Sequence, residues 1–118
     1  MPIARPSIRL DGAIITLATT TTLIYAIPSS AIGEIDCLTV YNSDTVDRTY
    51  NLILTRNAIS IQLSPTNHVI PAGSIWVYEK QEIRHYLRGG ESDKLEGTAS
   101  ANSVIKVCLS MLQLDINA

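Results

Sequence analysis

The stretch Arg48-Thr49-Tyr50-Asn51-Leu52-Ile53-Leu54-Thr55 decides how the rest of the chain is read. Tyr50, Leu52 and Leu54 fall on one side of an extended chain. Thr49, Asn51 and Thr55 fall on the other, with Ile53 the exception there. A period of two with one apolar side is the pattern of a β-strand that buries a single face. Residues 59–63 repeat it, with Ile59, Ile61 and Leu63 alternating against Ser60 and Gln62.

Turn chemistry punctuates the flanks. Residues 35–41 run to Asn42-Ser43-Asp44, and Ser64-Pro65-Thr66-Asn67 ends the run after the deciding strand. Pro71-Ala72-Gly73 precedes residues 74–79, and residues 13–17 and 20–27 form one long strand or two, closed by Pro28-Ser29-Ser30. Residues 79–87 suit a strand or a helical turn. Gly89-Gly90 opens a loop, read as solvated, in which glycine supplies positive φ. Residues 103–114 form the closing strand. No segment shows a convincing period of 3.6, so crossover helices and a parallel sheet are excluded. The pattern predicts an antiparallel β-sandwich, jelly-roll-like, of about eight short strands.

Residues 1–12 read as an extended N-terminal arm. Pro2 and Pro6 disfavour helix, and Asp11-Gly12 supplies a turn before a single sandwich domain over residues 13–118. An arm without a core of its own lies on a neighbouring subunit, with Ile3, Ile8 and Leu10 as its candidate contacts. Its removal is expected to leave a folded domain.

Composition agrees with strands and argues for partners. Among 118 residues there are 16 Ile, 12 Leu, 6 Val, 11 Thr and 11 Ser, with no Phe. Charged residues make up 17%, against about 25% in an ordinary soluble domain. Such a surface is poorly soluble unless other chains cover part of it. The closing strand sharpens this, because Val104-Ile105-Lys106-Val107-Cys108-Leu109-Ser110-Met111-Leu112 carries apolar groups on both faces. A two-layer sandwich leaves each sheet an outer face, so a homo-oligomer or assembly component is expected.

A net charge of −2 lacks the basic footprint of a nucleic-acid binder. No apolar run reaches the eighteen or so residues of a membrane helix, and the N-terminus lacks a secretory h-region, so synthesis in the host cytoplasm is expected. No phosphate loop, dinucleotide fingerprint, serine elbow or zinc-type histidine pair occurs. His68 and His85 are separate, and each reads as a surface or hydrogen-bonded side chain. Neither catalytic residues, nor a cofactor, nor a metal site is expected. The acids of Glu91-Ser92-Asp93-Lys94-Leu95-Glu96 lack regular calcium-ligand spacing. Cys37 and Cys108 sit in apolar runs and read as buried, inert thiols; the alternative is a disulfide joining the second strand to the last, against which cytosolic synthesis argues. Trp76 and Tyr78 share one side of their strand opposite Ile75 and Val77. That strand is either central and buried on both sides, or its aromatic side anchors another chain.

Four features in order resemble small β-sandwich structural proteins of tailed bacteriophages. They are a strand ending in Asn42, the alternating strand Tyr50-Asn51-Leu52-Ile53-Leu54, the Pro71-Ala72-Gly73 turn, and Gly89 to Ser100 before a final Val-rich strand. The pattern of the kind Leu-x-x-Gly-Asp-x-Leu-x-x-x-Ala-Ser is met by Leu87, Asp93, Leu95, Ala99 and Ser100, with the glycines displaced to Gly89 and Gly90. The likeness covers roughly residues 35–110 and carries no catalytic residue. It implies a virion protein, foremost a capsid decoration (cement) protein bound to the major capsid protein and to its own copies, with a trimer favoured over a dimer. A tail, neck or fibre-associated protein and a carbohydrate-binding sandwich with Trp76 as platform are the alternatives.

Overall fold

The alternation of Tyr50, Leu52 and Leu54 becomes the buried side of a strand, Arg48–Arg56, that lies inside one of two antiparallel sheets. The computed structural model describes residues 7–79 and 86–115. In chain order the strands are β1 (Ser7–Thr16), β2 (Thr22–Ala26), β3 (Ala31–Asn42), β4 (Arg48–Arg56), β5 (Ile59–Gln62), β6 (His68–Ile70), β7 (Ile75–Glu79), β8 (Tyr86–Arg88), β9 (Lys94–Ala99) and β10 (Ile105–Asp115).

Sheet A runs β1-β10-β3-β7, with β8 on the same edge of β3 as β7. Sheet B runs β2-β9-β4-β5, with β6 on the same edge of β4 as β5. Each sheet therefore has four tracks. Pairing is nested: β1 with β10, β2 with β9, β3 with β7 and β8, β4 with β5 and β6. A long double ribbon rolled on itself in this way is a jelly roll. The chain is an all-β sandwich, as the spacing of strands and turns predicts.

Between the sheets lie Ile35, Leu38, Val40, Leu87, Val107, Leu109 and Met111 from sheet A and Ile24, Tyr50, Leu52, Leu54 and Leu95 from sheet B, all buried. Connections that change sheet are fixed by polar side chains. Buried Asn42 donates from Nδ2 to the carbonyls of Val46 and Ile70 at 3.0 Å, and its Oδ1 accepts from Asp44 N–H at 2.9 Å. The β4–β5 hairpin turns on Asn57 and Ala58, both at positive φ (49° and 65°), as a two-residue primed turn requires.

Three expectations are revised. The boundary at residue 12 falls inside β1, because Ser7–Leu10 already pair with Met111–Leu114 and Asp11-Gly12 forms a register shift, not a turn. Residues 94–99, which the turn signals leave unassigned between the Gly89-Gly90 loop and the closing strand, form the full strand β9 between β2 and β4. The loop before β9 is anchored, not merely solvated. Fully buried Asp93 accepts from Arg56 Nε and Nη2 at 2.9 and 2.7 Å and from Arg88 N–H at 2.8 Å. Burial raises a carboxyl's pKa, but here the guanidinium and the amide outweigh it and hold Asp93 below the ordinary carboxylate range. Gly89 serves by close approach, since a Cβ there would stand 1.9 Å from the Pro28 carbonyl oxygen, and positive φ in this loop falls on Ser92. Of the ambiguous stretch 79–87, Glu79 ends β7, Tyr86 and Leu87 lie in β8, and residues 80–85, with His85, lie outside the described residues.

Candidate assembly surface

The two outer faces differ in chemistry. On sheet B the outward positions of β4 meet hydrogen-bonding neighbours. Asn51 Oδ1 accepts from Gln62 Nε2 (2.9 Å) and Asn67 N–H (2.8 Å), while its Nδ2 donates to Asn67 Oδ1 (3.0 Å) and Thr98 Oγ1 (3.3 Å). Thr55 donates to Glu96 at 2.6 Å, and Ser100 Oγ accepts from Thr49 N–H at 3.0 Å. These polar groups on β4 meet partners within the face, while Leu23 and Val69 stay exposed beside them.

On sheet A the rows across the strands mix exposed apolar side chains with Thr16, Thr39 and Lys106. Register places Ile14, Cys108, Thr39 and Val77 in one row, and Thr16, Lys106, Tyr41 and Ile75 in the next. Leu112 and Leu114 follow along β10, the latter opposite Ile32. Ile14 is 67% exposed, Ile75 60% and Val77 43%. A monomer has no use for such a patch, and patches of this kind mark contacts with other molecules. β7 adds an exposed apolar edge, since among the described residues it pairs only with β3.

The sequence-predicted contacts fall around this face in different ways. Ile3 lies outside the described residues. Ile8 and Leu10 pair through their backbones with Gln113 and Met111. Trp76 and Tyr78 turn toward the sandwich, and β7 is an edge strand, not one buried on both sides. Tyr78 is buried and its hydroxyl lies 2.7 Å from that of Tyr50, which is also 2.7 Å from His68 Nδ1. Burial, then the Tyr78 hydroxyl, pushes the Tyr50 phenol well above its ordinary value. Trp76 meets His68 edge-on at 4.7 Å and stays 44% exposed at the rim. Their strand neighbours Ile75 and Val77 form the outward apolar side.

The thiols are a second correction. Cys37 and Cys108 are free and half-exposed, not buried. Cys108 lies between buried Val107 and Leu109, and Cys37 pairs with Ser110, which lies between buried Leu109 and Met111. Both thiols therefore emerge on the outer face of sheet A. The apolar runs around them come from a strand that is apolar on both sides, which imitates a wholly buried one.

Among the described residues no three His, Cys, Asp or Glu side chains converge on a point, and no helix is long and apolar enough to cross a membrane. Glu91 and Asp93 both turn to Arg56, at 3.0 and 2.7 Å.

No family model matches the sequence, and no curated protein is similar to it in sequence. Solved structures share the fold. A subunit of the disulfide-linked pili of Bacillus endospore appendages has a TM-score of 0.52 at 16% identity, over 96% of this chain and 91% of that one. A chain of infectious bursal disease virus, Gx strain, has a TM-score of 0.51 at 12% identity, over 94% of this chain. A chain of the T13 IBDV particle scores 0.51 at 12% identity, over 93%. This chain spans about a third of those viral chains, 32% and 30%. At such identities the likeness establishes the jelly roll.

Proposed function

We propose that this protein is a non-enzymatic structural subunit of a virion, assembling through the outer face of sheet A. The observation that carries the reading is the row-by-row exposure of Ile14, Tyr41, Ile75, Val77, Leu112 and Leu114 on one sheet. Burying such side chains contributes about 25 cal/mol per Å², and repetition around a shell multiplies modest contacts into avidity. The jelly roll hosts many functions, so its occurrence in a pilus and in viral particles supports the reading only as a scaffold suited to assembly. The sequence pattern from Leu87 to Ser100 adds the tailed-phage character. In its fullest form the proposal is a decoration protein that clamps the head by binding the major capsid protein and its own copies.

The test is stoichiometry. Quantitative mass spectrometry of purified particles is expected to find hundreds of copies for each shell. A count from about six to a few tens moves the protein to the neck or tail, and absence from particles removes the virion reading.

A second reading has one observation behind it. An open groove of about 430 Å³ on sheet B is lined by Thr19, Thr49, Asn51, Asn67, Thr98 and Ser100. Hydroxyls and amides without charge suit a neutral polyhydroxyl ligand. A glycan array without hits retires that reading.

A further inference from the structure

The groove on the outer face of sheet B is shaped by bonds within the fold. Asn51 and Thr98 line it from facing positions on β4 and β9. Thr19, ahead of β2, is tied by its N–H to Asn102 Oδ1 at 2.8 Å, 83 positions away. Ser100 N–H bonds the Thr49 carbonyl and Ala99 N–H the Ala18 carbonyl, both at 2.9 Å. Asn67 holds a left-handed backbone, φ 49°, and its N–H bonds Asn51 Oδ1 at 2.8 Å. Such a conformation persists only where the surroundings fix it. The walls are therefore built before any ligand arrives, which lowers the ordering cost of binding.

Hydrogen-bond valences decide what the groove takes. Asn51 is spent: both Nδ2 hydrogens and both acceptor positions of Oδ1 are used on Asn67, Thr98 and Gln62. It shapes the site and has nothing left for a ligand. Thr98 Oγ1 accepts one bond from Asn51, and Ser100 Oγ one from Thr49 N–H, so each keeps its own hydrogen and one lone pair. The hydroxyls of Thr19 and Thr49 and the Nδ2 of Asn67 bond to none of the described residues. All four hydroxyls can donate and accept at once. A ligand hydroxyl does the same, whereas a carboxylate or phosphate only accepts and an ammonium only donates. No lining side chain is charged to offset the desolvation of an ion. None is aromatic, so a sugar is held here by its hydroxyls and not by ring stacking, and Trp76 lies outside the groove.

The two outer faces of a sandwich look in opposite directions. With sheet A turned to the assembly, sheet B and its groove face the medium. Resting on sheet A as the assembly face, and on the groove as a site for a neutral polyhydroxyl ligand, we infer that the groove binds an uncharged polysaccharide of a cell surface. The hydroxyls of Thr19, Thr49, Thr98 and Ser100 exchange bonds with sugar hydroxyls. Asn67 Nδ2 supplies hydrogens for an oxygen that carries none, such as a ring or glycosidic oxygen. One such contact is weak, because each bond to the ligand replaces a bond to water. Copies repeated over a particle meet a repeating polymer, and avidity multiplies the weak contacts.

The unspent hydroxyls allow a clean variant. Thr49→Val removes a ligand-facing hydroxyl and no bond within the described fold, because the backbone N–H and carbonyl of Thr49 carry its contacts to Ser100. Valine also suits a strand. Ser100→Ala removes a second hydroxyl, together with the acceptor of the Thr49 N–H. Trp76→Phe lies outside the groove and keeps a ring beside His68.

The experiment is affinity electrophoresis of the full chain in native gels cast with dextran, mannan or galactan, and with alginate as the anionic control. At least one of the neutral polymers is expected to retard the chain, and alginate is not. Thr49→Val is expected to weaken that retardation about fivefold, the worth of one hydrogen bond, and Thr49→Val with Ser100→Ala at least tenfold. Trp76→Phe should leave it unchanged. Urea denaturation checks that Thr49→Val folds as the parent does. No retardation in any neutral gel overturns the inference, as does stronger retardation by alginate or retardation that Thr49→Val leaves unchanged. A chain found on particles but indifferent to every neutral polymer overturns this inference while the virion reading stands. A chain that binds a neutral polymer through Thr49 yet is absent from particles keeps the ligand of the groove and removes the virion reading.

Discussion

The outer faces of the two sheets share one scaffold and have opposite surfaces. On sheet B, Asn51 makes four side-chain hydrogen bonds and Thr55 engages Glu96. On sheet A the corresponding rows carry Ile14, Val77, Ile75, Leu112 and Leu114, with Thr16, Thr39, Lys106 and Glu34 as polar members among them. Both sheets already bury their inner faces against each other, so the fold is complete without covering either outside. The difference therefore reports what the protein meets. A face whose polar groups meet partners within it tolerates water, and one that offers hydrocarbon gains only when another surface displaces that water.

The largest effect comes from a change that ignores the contrast. Asp93 ties β4, through Arg56, to the backbone of β8, and so joins one sheet to the other. Asp93→Ala is expected to cost about 3–5 kcal/mol of folding stability, measured by urea denaturation, because it leaves the guanidinium without its buried partner. The pH dependence has a fixed sign. With its folded pKa depressed, Asp93 contributes stability that is fully present above the ordinary carboxylate pKa. That stability is lost as pH falls through the depressed value, and the Ala variant should lack this acid limb.

Next comes a pair of variants that separates the faces. Ile14→Arg combined with Val77→Arg is expected to weaken association by about 3 kcal/mol, more than a hundredfold, while folding changes little. Val69→Arg, an equally drastic change at a 55% exposed position on sheet B, should leave association within a factor of about two by analytical ultracentrifugation. Equal effects from both would erase the distinction between the faces.

Smaller changes test the other side of the contrast. Asn51→Ala is expected to cost about 1 kcal/mol by breaking the sheet B network, whereas Thr39→Ala on sheet A should stay within about 0.5 kcal/mol by thermal unfolding. Smallest is a gain at the sheet B edge. Ala58 sits at φ 65°, a region costly for a residue with a Cβ, so Ala58→Gly should add about 0.5 kcal/mol after glycine's greater unfolded-state freedom is subtracted.

Local alternation made β4 legible together with its buried side, whereas for β5 it found the strand but misassigned a buried side, since Ile59–Gln62 are all exposed at the sheet edge. The closing strand was legible in a different way: apolar groups on both faces of β10 announced an outer surface that keeps hydrocarbon exposed at Leu112 and Leu114. Trp76 and Tyr78 drew attention as the bulkier side chains, yet Ile75 and Val77 face outward. Parity along a strand says which residues share a side, but only the opposing sheet says which side is in. Tyr50, 28 positions away in sequence, reaches the Tyr78 hydroxyl and settles it. The cysteines misled for a related reason, since an apolar neighbourhood in sequence is the same for a buried strand and for one exposed on an apolar face.

Composition, alternation and turn residues by themselves determined an antiparallel β-sandwich with a surface poor in charge. They act between residues a few positions apart, where φ, ψ preference and side-chain period operate. Only the tertiary structure decided the nested order of pairing, the burial of Asp93 against Arg56, and the meeting of Cys37 and Cys108 at the centre of one face. Those juxtapositions span up to 71 positions of chain (108 − 37) and arise from the register of long-range ladders, which no local preference encodes.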